Sequence, residues 1–361
     1  MVKKYCFFGF FLAVLFFYSS CFNSGDNSNI KPKAISKSND IVVIADKNIW
    51  QSEPGDTFRY YFESAYPVTP NPEPLFKLRY FTFDQIDAES LRRQLRTYIV
   101  LVNLSDKSSK TTKMLLKDLG KERKKSMLQS DSFDIIYGHD KWARDQLIIY
   151  IAAKGRDNLI KAIAQKFNEI SEKVHAHDVP QIKLATYFSG HNTEVESNIT
   201  KLLGVKVKIP KDYKLALSNE DNKIVWARRD SKKAISNFVV QKLEYTDTSQ
   251  FSIENAIKTI NKFGVFVTTD TEGSKLVVNN KDLPVLKFVR NINDNYAVEY
   301  RGIWEMTKDF MGGAFVAYLV KNKNNNDLIM ELGFVYGPGT DKKEYLQQLM
   351  IIANTLEFIK K

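Results

Sequence analysis

Both cysteines of this 361-residue chain lie within its first 21 residues, so everything beyond them must fold without a disulfide. Cys6 sits inside an apolar run from Tyr5 to Tyr18 that follows Lys3 and Lys4, and Cys21 comes directly after Ser19 and Ser20. Basic residues, an apolar stretch and then small residues are the layout of a secretory signal peptide. A spanning helix needs about twenty apolar residues to cross a hydrocarbon core roughly 30 Å thick. This run is shorter, and Ser19, Ser20, Asn23 and Ser24 stop it. The layout predicts a leader over residues 1–20 that is removed, and an acyl group such as palmitate on Cys21 as the new N-terminus. The rival is a plain secretory leader that merely ends beside a cysteine, since Tyr18 stands where such boxes usually carry Leu.

Export constrains how the rest of the chain is read. Residues 22–39 are rich in Asn, Ser, Gly and Lys with almost no large apolar side chain, a composition that cannot bury a core. Residues 21–39 are therefore expected to be a flexible tether. The whole chain is 43% hydrophobic and 12% aromatic, enough to build a core without staples. About 320 residues suggest two domains, expected at 40–178 and 179–361. With Lys3 and Lys4 gone, 51 basic residues face 42 acidic ones. In an exported protein that surplus points to an anionic membrane surface or acidic polymer, and not to nucleic acid.

Hydrophobic patterning gives the elements. Ile41–Ala45, Phe76–Phe83 and Tyr98–Val102 read as strands. A helix begins near Asp56, and prolines 67, 70, 72 and 74 demand extended or turned backbone. In 158–174, Leu159, Ile160, Ile163, Phe167, Ile170 and Val174 share one helical face. After Gly337-Pro338-Gly339, Asp341 and Glu344 form a plausible capping pair for a helix carrying Tyr345, Leu349, Ile352 and Leu356. Between about 205 and 335 the candidates are strands: Val205–Ile209, Ile224–Ala227, Phe238–Leu243, Val285–Arg290, Tyr296–Tyr300, Ala314–Val320 and Leu328–Val335. Neighbouring long strands predict an α+β fold, two α/β halves with largely antiparallel sheets flanked by helices. A short echo, Trp142-Ala143-Arg144-Asp145 against Trp226-Ala227-Arg228-Arg229-Asp230, fits chance better than a repeat.

Chemistry is sparse. His175-x-His177-Asp178 offers three ligand types in four residues, but trails off a helix end beside Pro180, which fits loop or capping roles better than a metal site. His139-Asp140 and His191 are isolated, and no metal or cofactor is expected. No nucleophile elbow or phosphate loop occurs, and Gly337-x-Gly339 reads as a turn. Paired carboxylates leave no local motif, so Asp46, or Glu305 with Asp309, stay open for acid–base work against a solvated role. Lys110, Lys113, Lys117, Lys121 and Lys124 recur every three or four residues in a predicted helix over 107–125. They are expected to form one basic stripe, either a solvated face or a contact for anionic lipid. The densest constellation runs from Arg301 through Trp304 and Glu305 to Asp309-Phe310-Met311-Gly312-Gly313. It reads as a hairpin with a buried Trp, or as a polar pocket with an aromatic wall in which Arg301, Trp304, Glu305 and Asp309 bind a ligand.

These residues carry a resemblance. Ile41–Asp46 with Trp50 and Gly55-Asp-Thr57, Pro72-Glu-Pro74, Asp140-x-Trp142-Ala143-x-x-Gln146, Ile209-Pro210-x-x-Tyr213, Arg301-Gly302-x-Trp304-Glu305 with Asp309–Gly313, and Phe334-Val-Tyr-x-Pro338 together resemble the domain-of-unknown-function family 4837 over nearly all of the mature chain. Asp145 and Ala314 stand where that family typically has Pro. The resemblance implies a Bacteroidetes envelope lipoprotein and supplies no activity. A relaxed lipidation box suits that group, and with no acidic run after Cys21 the expected position is the outer membrane, facing the periplasm. The expected role is a non-catalytic binding or envelope-support factor whose partner is an envelope protein, anionic lipid or polymer. The alternative is a lipid-anchored hydrolase acting on an envelope polymer.

Overall fold

The computed structural model describes residues 31–129 and 132–359; the leader, Cys21 and residues 22–30 lie outside the described residues. The chain is α+β, and it begins with β1 (Asp40–Ile44), α1 (Lys47–Trp50), α2 (Glu53–Phe62), β2 (Lys77–Phe81), α3 (Phe83–Ala88) and β3 (Thr97–Asn103). It continues through α4 (Lys110–Asp118), α5 (Lys121–Gln129), β4 (Phe133–His139), β5 (Leu147–Ala153) and the long α6 (Arg156–Thr186). These strands form one sheet in the order β2-β1-β3-β5-β4. Three of its pairings are parallel and only β4 with β5 is antiparallel. The sheets of the molecule are antiparallel in the main, and this N-terminal one is the exception. Its central strands are apolar through their middles because both faces are covered, α2 and α6 on one side and α3 and α4 on the other.

The second half runs α7 (Thr193–Leu203), β6 (Val205–Lys206), β7 (Lys214–Asn219), β8 (Ile224–Asp230), β9 (Ile235–Glu244), α8 (Ile253–Phe263) and β10 (Leu276–Asn279). It ends with β11 (Leu286–Ile292), β12 (Asn295–Met306), β13 (Gly312–Lys321), β14 (Asp327–Tyr336), α9 (Lys343–Ala353) and β15 (Glu357–Phe358). An eight-stranded antiparallel sheet has the order β10-β12-β13-β14-β9-β8-β7, with β11 beside the first part of β12. Helices α7 and α9 cover one face and α8 the other. Gly313 is required by this packing: a Cβ there would stand 1.9 Å from the Val335 carbonyl oxygen.

The two halves are joined by buried polar contacts. Glu73, 5% exposed, accepts from the Lys342 and Lys343 backbone N–H groups at 2.6 and 2.9 Å, capping the start of α9 from the other half. Asn39 and Gln347 exchange reciprocal amide bonds of 2.9 Å each, and Asp178 accepts from the Asn39 N–H at 2.7 Å. The Pro72-Glu-Pro74 motif is thus a clamp between halves.

Two boundaries differ from expectation. The segment expected to be a tether as far as residue 39 is held from Pro32 onward: its carbonyl accepts from Arg144 N–H, and Ala34 and Ile35 N–H donate to Arg144 and Gln94. No divide falls at 178, since α6 continues through Pro180 to Thr186. Pro180 sits on the exposed side of the helix, where the backbone group it leaves without a helical partner is open to solvent. The Trp142 and Trp226 segments occupy unlike places, one in the turn before β5 and the other inside β8, so they mark no repeat.

Candidate functional site

The site begins at a two-residue turn. Asn293 and Asp294 adopt positive φ of 47° and 64°, and Ile292 pairs with Asn295, the geometry of a tight hairpin between β11 and β12. That turn sets the register. Phe288 lies opposite Glu299, Arg290 opposite Ala297, Glu299 next opposite Tyr318 on β13, and Tyr318 opposite Glu331 on β14. Alternation then aims Phe288, Arg290, Glu299, Arg301, Tyr318 and Glu331 at the layer formed by α6 and α9.

Glu299 is the hinge of the group. Its side chain is 3% exposed. It takes Arg301 Nε on Oε1, and Arg290 Nε at 2.8 Å with the Tyr318 hydroxyl at 3.2 Å on Oε2. Burial alone would raise its pKa; Arg301 and Arg290 outweigh burial and hold the carboxyl below the usual glutamate value. Both guanidiniums also lie on the Phe288 ring, 5.0 and 5.2 Å from its centre. Arg301 donates a further long bond of 3.4 Å to the hydroxyl of buried Tyr66, from the other half. Two guanidiniums share one carboxylate, so the group keeps one net positive charge.

Between this group and the helices is a cleft of about 520 Å³. Val179 and Ile182 of α6 and Met350 and Ile351 of α9 give it apolar walls, and His175, Gln347 and Asn354 add polar edges. Withdrawal from water, then the Arg301 charge, lowers the His175 pKa, so the imidazole is neutral at pH 7. Behind Tyr318, Glu331 is fully buried with neither carboxylate oxygen hydrogen-bonded. Burial raises its pKa well above the ordinary glutamate value.

Of the four residues expected to line a pocket, only Arg301 reaches this cleft. Trp304 points through the opposite face of β12, 4% exposed, edge-on to Phe334 at 5.6 Å. Glu305 accepts from Asn279 Nδ2 at 2.9 Å near the sheet edge. Asp309 lies in the β12–β13 turn, where Ser274, Thr271 and Thr269 hydroxyls donate to it and lower its pKa. The constellation separates because Trp304 faces the opposite side of β12 from Arg301, while Glu305, on the same side, lies four residues further along the strand and Asp309 beyond its end. The lysines are divided too: Leu119 and Gly120 end α4 before α5 begins, so Lys110, Lys113 and Lys117 ride one helix and Lys121 and Lys124 another. Lys110 is paired with Asp84 at 2.5 Å, and the other four stand exposed. His175, His177 and Asp178 diverge, into the cleft, toward Arg96, and onto Asn39. Among the described residues no group of three His, Cys, Asp or Glu could hold a metal, and no helix is long and apolar enough to cross a membrane.

The architecture defines a two-half α+β protein with a charged cleft at the seam. Residues 192–355 match the family described as domain of unknown function (DUF4837), while residues 34–185 match another, DUF8532. The Arg301–Gly313 and Phe334–Pro338 motifs fall in the first. Ile41–Asp46, Pro72–Pro74 and Asp140–Gln146 fall in the second, so DUF4837 spans less of the chain than the resemblance implied. No curated protein matches. Among solved structures, the Ran-binding protein Mog1p of Saccharomyces cerevisiae is similar at 9% identity and TM-score 0.27, covering 43% of this chain and 90% of its own. The human StarD13 lipid transfer and protein localization domain has 11% identity and TM-score 0.20, covering 40% and 88%.

Proposed function

We propose that the protein is a lipid-anchored, non-catalytic binding factor of the cell envelope. It is held through Cys21 to the outer membrane, facing the periplasm, and it takes its ligand in the cleft between its halves. One observation carries the reading: a hydrogen-bonded Arg290–Glu299–Arg301 group with surplus positive charge stands at the wall of a cleft of about 520 Å³ whose helical side is largely apolar. That volume lies in the range of small-molecule sites, and such sites combine apolar walls with few fixed polar groups. Binding is preferred over hydrolysis by Glu305 and Asp309 because each acid is already engaged, by Asn279 and by three hydroxyls.

The test is capture of the native lipoprotein from envelopes, beside Ile351→Trp, which fills the cleft from a half-buried position on α9. A species that co-purifies with the wild type and is lost from the variant supports the reading. Identical sets contradict it. Fatty-acid labelling that persists in Cys21→Ala would rule out Cys21 as the anchor.

A further inference from the structure

Resting on the cleft reading, we propose that its ligand is a small amphiphile with one anionic head, a carboxylate or phosphate monoester, and an apolar body. Each arginine spends its Nε on Glu299. Nη1 of Arg301 reaches only the Tyr66 hydroxyl, and Nη1 of Arg290 only its neighbour's carbonyl, both at 3.4 Å. The remaining N–H groups of two forks, oriented by a shared carboxylate and a shared aromatic ring, are left for an acceptor. A guanidinium pair held this way matches the two oxygens of a carboxylate or phosphate.

Charge argues in the same direction. The Arg301 side chain is only 16% exposed, and two guanidiniums against one carboxylate leave a cation partly out of water. Such a surplus is costly unless a counter-charge arrives. Of the acids and bases facing it, Glu299 is already used, His175 is neutral at pH 7, and the Tyr66 and Tyr318 phenols are held protonated by burial. A bound anion supplies the missing charge. Val179, Ile182, Met350 and Ile351, across the cleft, offer nothing polar and suit a hydrocarbon body.

The test is calorimetric titration of the full chain in phosphatidylcholine nanodiscs, with empty nanodiscs as blank. The probes are octanoate, octyl phosphate, octanol and inorganic phosphate. Saturable one-to-one binding of either octyl anion is expected, at least tenfold tighter than octanol or phosphate. The preferred anion identifies the head group. Arg290→Gln, at the more exposed fork, should weaken that binding about tenfold, and Ile351→Trp should abolish it. No saturable binding of either anion, equal binding of octanol, or unchanged affinity in both variants would overturn the proposal. If both anions fail while Ile351→Trp still loses its co-purifying species, the ligand class is wrong and the cleft reading stands. If that species is also unaffected, both fail.

Discussion

Replacing Glu331 with methionine should make this protein more stable, and the gain should grow with pH. The carboxyl is fully buried on the inner face of β14, between Tyr318 on β13 and Val240 on β9, and neither oxygen has a partner. A buried polar group without a hydrogen bond costs about 1–3 kcal/mol even when neutral. Methionine, of similar length and wholly apolar, removes that cost. Ionisation adds a second term. Burial raises the folded-state pKa well above the unfolded value of about 4.3. As pH climbs past that unfolded value, the unfolded chain releases its proton and the folded chain keeps it. The wild type then loses about 1.4 kcal/mol of stability per pH unit until the folded carboxyl titrates. Urea unfolding of both proteins at pH 5 and pH 6 measures the effect. Met should exceed wild type at both, with the gap wider at pH 6. A less stable variant, or a gap that does not move with pH, would refute the reasoning.

Other perturbations act on the contacts between and within the halves. Glu73→Ala leaves two buried N–H groups at the start of α9 unsatisfied and should cost about 3 kcal/mol in urea unfolding. Gly313→Ala forces a Cβ to within 1.9 Å of the Val335 oxygen. It should cost about 3 kcal/mol or more, read as a fall in Tm. For Lys113→Gln/Lys117→Gln/Lys121→Gln, salt-sensitive binding of the delipidated domain to anionic vesicles should drop if the exposed lysines meet lipid. Equal binding would remove that surface from consideration.

Legibility followed burial. Ile41–Ala45 and Tyr98–Val102 were readable because strands covered on both faces are apolar throughout, yet that same uniformity hid their parallel pairing. Edge strand β7 exposes most of its side chains, so Lys214–Asn219 carried almost no pattern. Residues 253–263 form a strongly one-sided helix within the stretch whose patterning is otherwise that of strands. Pro180 suggested a helix end, but a proline on a solvent-facing side can be carried through. Among the site residues, Arg301 was picked out from its neighbours in sequence. Arg290 and Glu299 were missed, although the Asn293-Asp294 turn, taken with two-residue alternation, would have placed them on one face. Nothing local marked the helical walls, since Val179 and Ile351 meet the sheet only through the packing of α6 and α9.

Occupancy of the seam cleft in the envelope is tested most directly by a photo-crosslinking amino acid at position 351 of the native lipoprotein, irradiated in intact cells. Position 265, exposed beyond α8, serves as control. An occupied cleft predicts a discrete crosslinked species of small added mass at 351 that is absent at 265 and diminished by Arg290→Gln. Equal labelling at the two positions, or none at 351, would contradict it.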